Sequence, residues 1–325
     1  MTVPLDPQAL AVLDFLRGLA LPATAATDIK TARANYLRTR RLLAPPPPAV
    51  ALVEDLTIAG PGGPLALRHY RGDHVAADVP APGLLFFHGG GWNTGDLDTH
   101  DALCRQLANA LRGVVVAVGY RLAPEHPFPA AFDDAVAALD WFAANAEQLH
   151  VAQDKLVVGG DSAGGNLAAA LAIAARDKGG PPLAAQVLIY PATDAGMAHS
   201  SFAEFGTGYM LEAQQMAWNW TTYAPPADRA TDWRVSPLAV RDFSRLPAAI
   251  VITAGYDPLR DEGEAFAERL FEAGIPVMSE CFEGMIHGFV PMGGRIAAAN
   301  HAIVRIAQTL RQTLGLAKAP GVSRR

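Results

Sequence analysis

The chain is poor in cysteine, sparing with charge and free of long apolar runs. Cys104 and Cys281 are its only thiols and lie far apart in sequence. Neither a disulfide framework nor a zinc site is expected, and both read as small buried hydrophobes. The longest apolar run, Leu167 to Ala175, is about half of what a spanning helix needs, so no stable membrane insertion is expected. The opening MTVPLDPQAL lacks the basic start and apolar core of a secretory signal. A cytoplasmic location is the expectation. Charged residues make up 18% of the chain, the formal net charge is −6, and Lys and Arg form no long run. That argues against a nucleic-acid partner, which calls for a basic patch. Arg38, Arg40 and Arg41 fall in a helical pattern and read as a solvated helix face.

What is plentiful is apolar: half of 325 residues. This suffices for one large core with a small appendage. Helical spacing covers residues 6–18 (Leu10, Leu13, Leu16) and 27–43 (Ile29, Tyr36, Leu43). Pro45-Pro-Pro-Pro48 then stiffens the chain, which makes residues 1–45 an N-terminal appendage and 46–325 the main domain. Runs at 50–58 and 65–70 flank Gly60-Pro-Gly-Gly-Pro64 and read as a hairpin. Beyond it, continuous apolar runs (84–87, 114–118, 156–158, 186–190, 249–253, 277–282) alternate with helical patterns (99–111, 131–148, 163–177, 261–273, 296–314). That alternation predicts an α/β fold with a mostly parallel sheet covered on both faces. Residues 195–240 are too long for a crossover and too aromatic for a linker. They read as a helical insertion that caps the carboxyl edge of the sheet together with residues 1–45.

Four glycines crowd Ser162 in Gly159-Gly-Asp-Ser-Ala-Gly-Gly165, between an apolar run and an alanine-rich helical pattern. Residues 160–164 fit G-x-S-x-G, the sharp strand-to-helix turn that exposes a nucleophilic serine. With 30 glycines and 7 serines, chance supplies about 0.06 such matches. No Gly-Lys-Ser/Thr follows, so a phosphate-binding Walker loop is excluded. A serine needs a base and an oxyanion hole. His88-Gly-Gly-Gly91-Trp92 follows the run at 84–87, and its glycines can turn N–H groups toward one point. The hole is assigned to the N–H groups of Gly89, Gly90 and Ala163, with His88 holding the loop rather than acting as base. Of the later histidines, His199 precedes any acid and His301 sits mid-helix. His287, in a loop after the last run, is the base. Asp257 directly follows the run at 249–253 and is the acid. Asp261 and Glu262 read as charges at a helix N-terminus. Trp218, Trp220 and Tyr223 read mostly as cap core. Met210 and Leu211, with Trp92 beside the glycine loop, are the candidate substrate contacts.

Together, His88-Gly-Gly-Gly91, Tyr120-Arg-Leu-Ala-Pro-Glu125, Gly160-Asp-Ser-Ala-Gly164, Asp257-Pro-Leu and His287-Gly-Phe resemble the hormone-sensitive-lipase-like family of α/β-hydrolase esterases, in the branch with Asp161 before the serine. The resemblance implies an eight-stranded, mostly parallel sheet and a helical cap. It also implies hydrolysis of short- to medium-chain esters, and homodimers paired through the last strand. The expected function is a serine carboxylesterase acting on small-molecule esters through a Ser162–His287–Asp257 triad, without metal or organic cofactor. An amidase, lactonase or acyltransferase would use the same triad. A non-catalytic binding protein is the alternative of a different class.

Overall fold

The computed structural model describes residues 3–22, 24–75, 79–229 and 231–316. Among them, eight strands form one sheet: β1 (Leu52–Gly60), β2 (Gly63–Arg71), β3 (Ala81–Phe87), β4 (Val114–Gly119), β5 (Val151–Asp161), β6 (Ala185–Ile189), β7 (Ala248–Tyr256) and β8 (Val277–Ile286). Their spatial order is β1-β2-β4-β3-β5-β6-β7-β8. The expected hairpin is β1–β2, with Gly60 opposite Gly63. β2 runs antiparallel to β4, and every later pairing is parallel.

The helices are α1 (Pro7–Gly18), α2 (Ile29–Leu43), α3 (Asp101–Leu111), α4 (Ala130–Ala144), α5 (Ala163–Lys178), α6 (Ser200–Phe205), α7 (Ala213–Tyr223), α8 (Pro226–Arg229), α9 (Arg260–Glu272) and α10 (Ala297–Thr313). Alternating strand residues feed two cores. Leu84, Phe86, Val115 and Val157 pack with Leu107 of α3, Ile303 of α10 and Val12 of α1. Leu85, Phe87, Val116 and Val158 pack with Leu139 of α4, Leu171 of α5 and Phe266 of α9. Burial on both faces explains why the strands are apolar without a polar alternate. Helix α5 is buried without a break from Ala163 to Ala174, so its N-terminus is held rigidly at the middle of the sheet.

The N-terminal helices have local causes. Asp6 caps α1 by accepting from Gln8 N–H at 2.7 Å, with Pro7 in the first turn. Asp28 caps α2 by accepting from Thr31 N–H at 2.9 Å. Two readings on these helices are corrected. Leu10 is 45% exposed, and the buried stripe of α1 is Ala9, Val12 and Leu13. The Arg38–Arg41 stretch is not uniformly solvated: Arg40 is 6% exposed, because α2 turns this face toward the carboxyl edge of the sheet. The interval 195–240 contains α6, α7 and α8. In it Trp220 and Tyr223 are buried and Trp218 half-buried. Cys104 is buried and Cys281, on the edge strand β8, only partly so.

Candidate active site

Three parallel strands deliver the triad to one edge. β5 ends at Asp161, and Ser162 makes the turn into α5. Ser162 has φ +55° and ψ −117°, a strained conformation that lifts a side chain out of a tight turn. The turn closes because Gly164 lies against the Phe87 carbonyl, where a Cβ would collide. β7 ends one residue before Asp257. β8 runs past the expected Phe282 to Ile286, which puts His287 directly at its end.

His287 Nε2 lies 3.0 Å from Ser162 Oγ, and Nδ1 lies 2.6 Å from Asp257 Oδ2. Asp257 is fully buried, and its Oδ1 accepts the Leu259 N–H at 2.8 Å. An acceptor carboxylate at Nδ1 fixes the proton there and leaves Nε2 free to accept from the serine hydroxyl. The Tyr190 ring supports the imidazole at 4.8 Å between centroids. The structure thus brings together all three residues expected from the sequence. The other candidates lie elsewhere: His301 is exposed on α10, and His199 pairs with Asp194.

The oxyanion assignment needs a correction. The Gly89 N–H donates to Asp161 Oδ1 at 2.9 Å, so it is committed inside the protein. Gly90 and Gly91, one residue further on, line the cavity that holds Ser162 and His287. Gly90 has φ +127°, and a Cβ there would strike the Thr94 carbonyl. Among the described residues neither Gly90 nor Gly91 donates its N–H to another group. Asn93 and Thr94 brace this loop: Asn93 Nδ2 donates to the Gly91 carbonyl and Thr94 Oγ1 to that of Gly90. Trp92 does not line the cavity. It is fully buried, stacked 4.4 Å from Tyr223 and tilted against Trp220 at 4.3 Å between centroids, and it packs the glycine loop against α7.

His88 holds the loop, as expected. It is buried, its Nδ1 bonds the Gly89 carbonyl at 2.9 Å, and its ring stacks on Tyr120 at 4.3 Å. Burial pushes its pKa down to about 4, so it is neutral at pH 7. Tyr120 Oη donates to the His88 carbonyl at 2.7 Å. Two supporting contacts join residues far apart in the chain. Asp161 is buried against His100, whose Nε2 lies 3.1 Å from its Oδ1. Burial alone would raise the Asp161 pKa, but His100, Arg40 and the Gly89 N–H together hold it low. Arg33 of α2 grips Glu125 with both Nη atoms and donates from Nε to the Asn93 carbonyl at 2.9 Å. Nothing local in the sequence marks either contact.

Glu262 reads as a charge at a helix N-terminus and does lie in the first turn of α9, but it is a fully buried carboxyl. Its Oε1 accepts N–H groups from Thr193 at 2.7 Å and Asp194 at 3.2 Å, while Oε2 has no partner among the described residues. Burial raises its pKa well above the ordinary carboxylate range.

The cavity at the triad measures about 160 Å³ and is also lined by Met210, Leu211, Met216, Gln215 and Asn219. Of the three candidate substrate contacts, Met210 and Leu211 line this cavity and Trp92 does not. A larger cavity of about 560 Å³, between α3 and the β1–β2 hairpin, contains none of the triad. Its Arg68 and Arg105 are paired with Asp55, Asp98 and Asp101. Among the described residues no group of three or more His, Cys, Asp or Glu side chains is arranged to hold a metal ion, and no helix is long and apolar enough to cross a membrane.

A serine at a strand-to-helix elbow, a histidine within hydrogen-bond reach and a buried aspartate behind it define a serine-hydrolase site on an α/β sheet. Comparison with known proteins agrees. The α/β hydrolase fold family matches residues 84–291, and the chain belongs to that family, among its hormone-sensitive-lipase-like members. It is similar to the carboxylic ester hydrolase LipN of Mycobacterium tuberculosis, at 40% identity over 92% of this chain and 81% of the relative. The ethyl acetate hydrolase of Pseudomonas putida is 38% identical over 95% of this chain and 99% of its own length. Among solved structures, an ester hydrolase from the metagenome of Lake Arreo, complexed with a bipyridine phosphonate derivative, superposes with a TM-score of 0.92. It is 40% identical, and the match covers 96% of this chain and 99% of that one.

Proposed function

We propose that this protein is a serine carboxylesterase acting on small esters through an acyl-enzyme. The observation that carries the reading is the continuous hydrogen-bonded line from Ser162 Oγ through His287 to Asp257. Ser162 attacks the ester carbonyl while His287 takes the hydroxyl proton and passes it to the departing alcohol. Water then enters, gives its proton to His287, and releases the acid and the free serine. Asp257 keeps the imidazole oriented and stabilises the imidazolium without taking the proton. Gly90, Gly91 and Ala163 supply the N–H groups for the oxyanion.

Helices α1 and α2 together with residues 195–240 act as the cap over this site. A cavity of about 160 Å³ favours short acyl groups, since an apolar cavity of roughly 150 Å³ holds one benzene. The ethyl acetate hydrolase among the relatives is in keeping with that range. Two cysteines without a disulfide are in keeping with a cytoplasmic protein. The connected triad counts against a purely binding role.

The test is hydrolysis of p-nitrophenyl esters from acetate to palmitate by the wild type and Ser162→Ala. Turnover should peak at short chains, with kcat in the variant lower by about 10⁶. Equal turnover by the two proteins would remove the proposal.

A further inference from the structure

Helix α2 carries a positive charge into the reaction cavity without a directly bonded carboxylate. Arg40 is 6% exposed and lines the same cavity as Ser162 and His287, and also the larger cavity beside α3. Its Nη1 donates to the Gly288 carbonyl at 3.2 Å, and the guanidinium lies 4.8 Å from the Tyr36 ring centroid. No carboxylate stands within 4 Å of it among the described residues. Its neighbours on α2 differ: Arg33 is paired with Glu125, and Arg41 faces Asp98. Buried ions are normally paired, because losing water is costly for an isolated charge. Asp161 also lines the cavity and its field reaches Arg40, but its oxygens are engaged by the Gly89 N–H and His100.

Tyr36 adds a second group. It lines the same cavity beside Arg40, and no acceptor takes the proton of its buried hydroxyl. Burial raises its pKa, so the phenol keeps its proton and remains a donor at neutral pH. A guanidinium bonded to one carbonyl and a phenol whose proton no acceptor takes therefore belong to residues that line the space beside the nucleophile. A carboxylate matches a guanidinium fork in plane and spacing, and it accepts from a phenol as well.

We propose that Arg40 and Tyr36 form an anion-reading subsite, and that the preferred substrates are small esters bearing a second, carboxylate group. This rests on the esterase reading of Ser162. It makes Arg40 a specificity residue supplied by the N-terminal segment, beyond its bond to the backbone next to His287.

The test compares kcat/KM for two matched pairs at pH 7.5. Monomethyl succinate against methyl butyrate places the carboxylate on the acyl part, and 4-carboxyphenyl acetate against phenyl acetate places it on the alcohol part. In one pair the charged-to-neutral ratio should fall by about tenfold to a hundredfold in Arg40→Gln, the range for losing a charged hydrogen bond. Intrinsic reactivity cancels because each ratio is compared with the wild type. Tyr36→Phe keeps the ring under Arg40 and should lower the same ratio severalfold. If Arg40→Gln does not fold, as judged by circular dichroism, Tyr36→Phe decides alone: an unchanged ratio overturns the subsite. An equal loss on charged and neutral esters in Arg40→Gln, with the ratio kept, also overturns it and leaves Arg40 a positioning residue for the His287 loop. Either result leaves the esterase reading intact. Absence of Ser162-dependent turnover of the neutral esters would instead fail the esterase reading itself.

Discussion

His287 Nδ1 lies 2.6 Å from Asp257 Oδ2, and the other oxygen of that carboxylate accepts the Leu259 N–H. The aspartate is thereby fixed by its own turn before it orients the histidine. Asp257→Asn keeps the size but offers Nδ1 an amide whose preferred orientation selects the wrong tautomer. Steady-state kinetics on a p-nitrophenyl ester should give a kcat lower by about 10⁴, with the melting temperature nearly unchanged.

The glycine loop should be intolerant at Gly90. Its φ of +127° and the Thr94 carbonyl leave no place for a methyl group. Gly90→Ala should displace the N–H aimed at the oxyanion and cost about 10²- to 10³-fold in kcat, with a smaller change in KM.

His88 ties stability to acid. Its folded pKa of about 4 lies below the ordinary 6.5, so the folded state resists protonation that the unfolded chain accepts. The stability held by the neutral form is complete above about pH 6.5 and is lost as pH falls toward 4. The full effect is about 3 kcal/mol. Urea unfolding of the wild type at pH 7.5 and pH 5 should show the loss, and His88→Gln should flatten it.

Glu262 acts in the opposite sense. Its folded pKa is raised by burial, so the folded state holds a proton that the unfolded chain releases above about pH 4.3. Stability from this group falls as pH rises toward the folded pKa. Glu262→Gln keeps an acceptor for the Thr193 and Asp194 N–H groups and cannot ionise. Its stability relative to the wild type should improve as pH rises above about 4.3 toward the folded pKa in the same unfolding assay.

Met210 and Leu211 line the cavity from the insertion side. Truncating Leu211 to Ala should enlarge the cavity and move the chain-length optimum upward by about two carbons, read from the p-nitrophenyl series. An unmoved optimum would place the acyl chain elsewhere.

The sheet and the triad were legible in sequence for physical reasons. Strands buried on both faces must be apolar throughout, as in β3 and β4, and the nucleophile elbow needs small residues that no ordinary helix start would carry. Strand ends were less clear. β5 begins at Val151, but the half-exposed and exposed Ala152–Lys155 interrupt its apolar run and hide the first half. The sequence does not show that the Gly89 N–H is engaged, because its acceptor Asp161 lies 72 residues away. Trp92 reads as a pocket residue from its position, yet α7 covers it. In the sequence Arg40 reads as part of a solvated helix face and Glu262 as a charge at a helix N-terminus. Nothing in their neighbours along the chain distinguishes a buried ion from an exposed one, since burial is set by elements that meet only in the fold.

The central claim is that Ser162 is a nucleophile made reactive by His287, and covalent labelling tests it directly. A fluorophosphonate probe followed by intact-mass and peptide analysis should give one adduct per chain, on Ser162. It should vanish in Ser162→Ala, slow by orders of magnitude in His287→Ala, and be prevented by excess short-chain ester. Labelling at another residue, or none in the folded wild type, would contradict it.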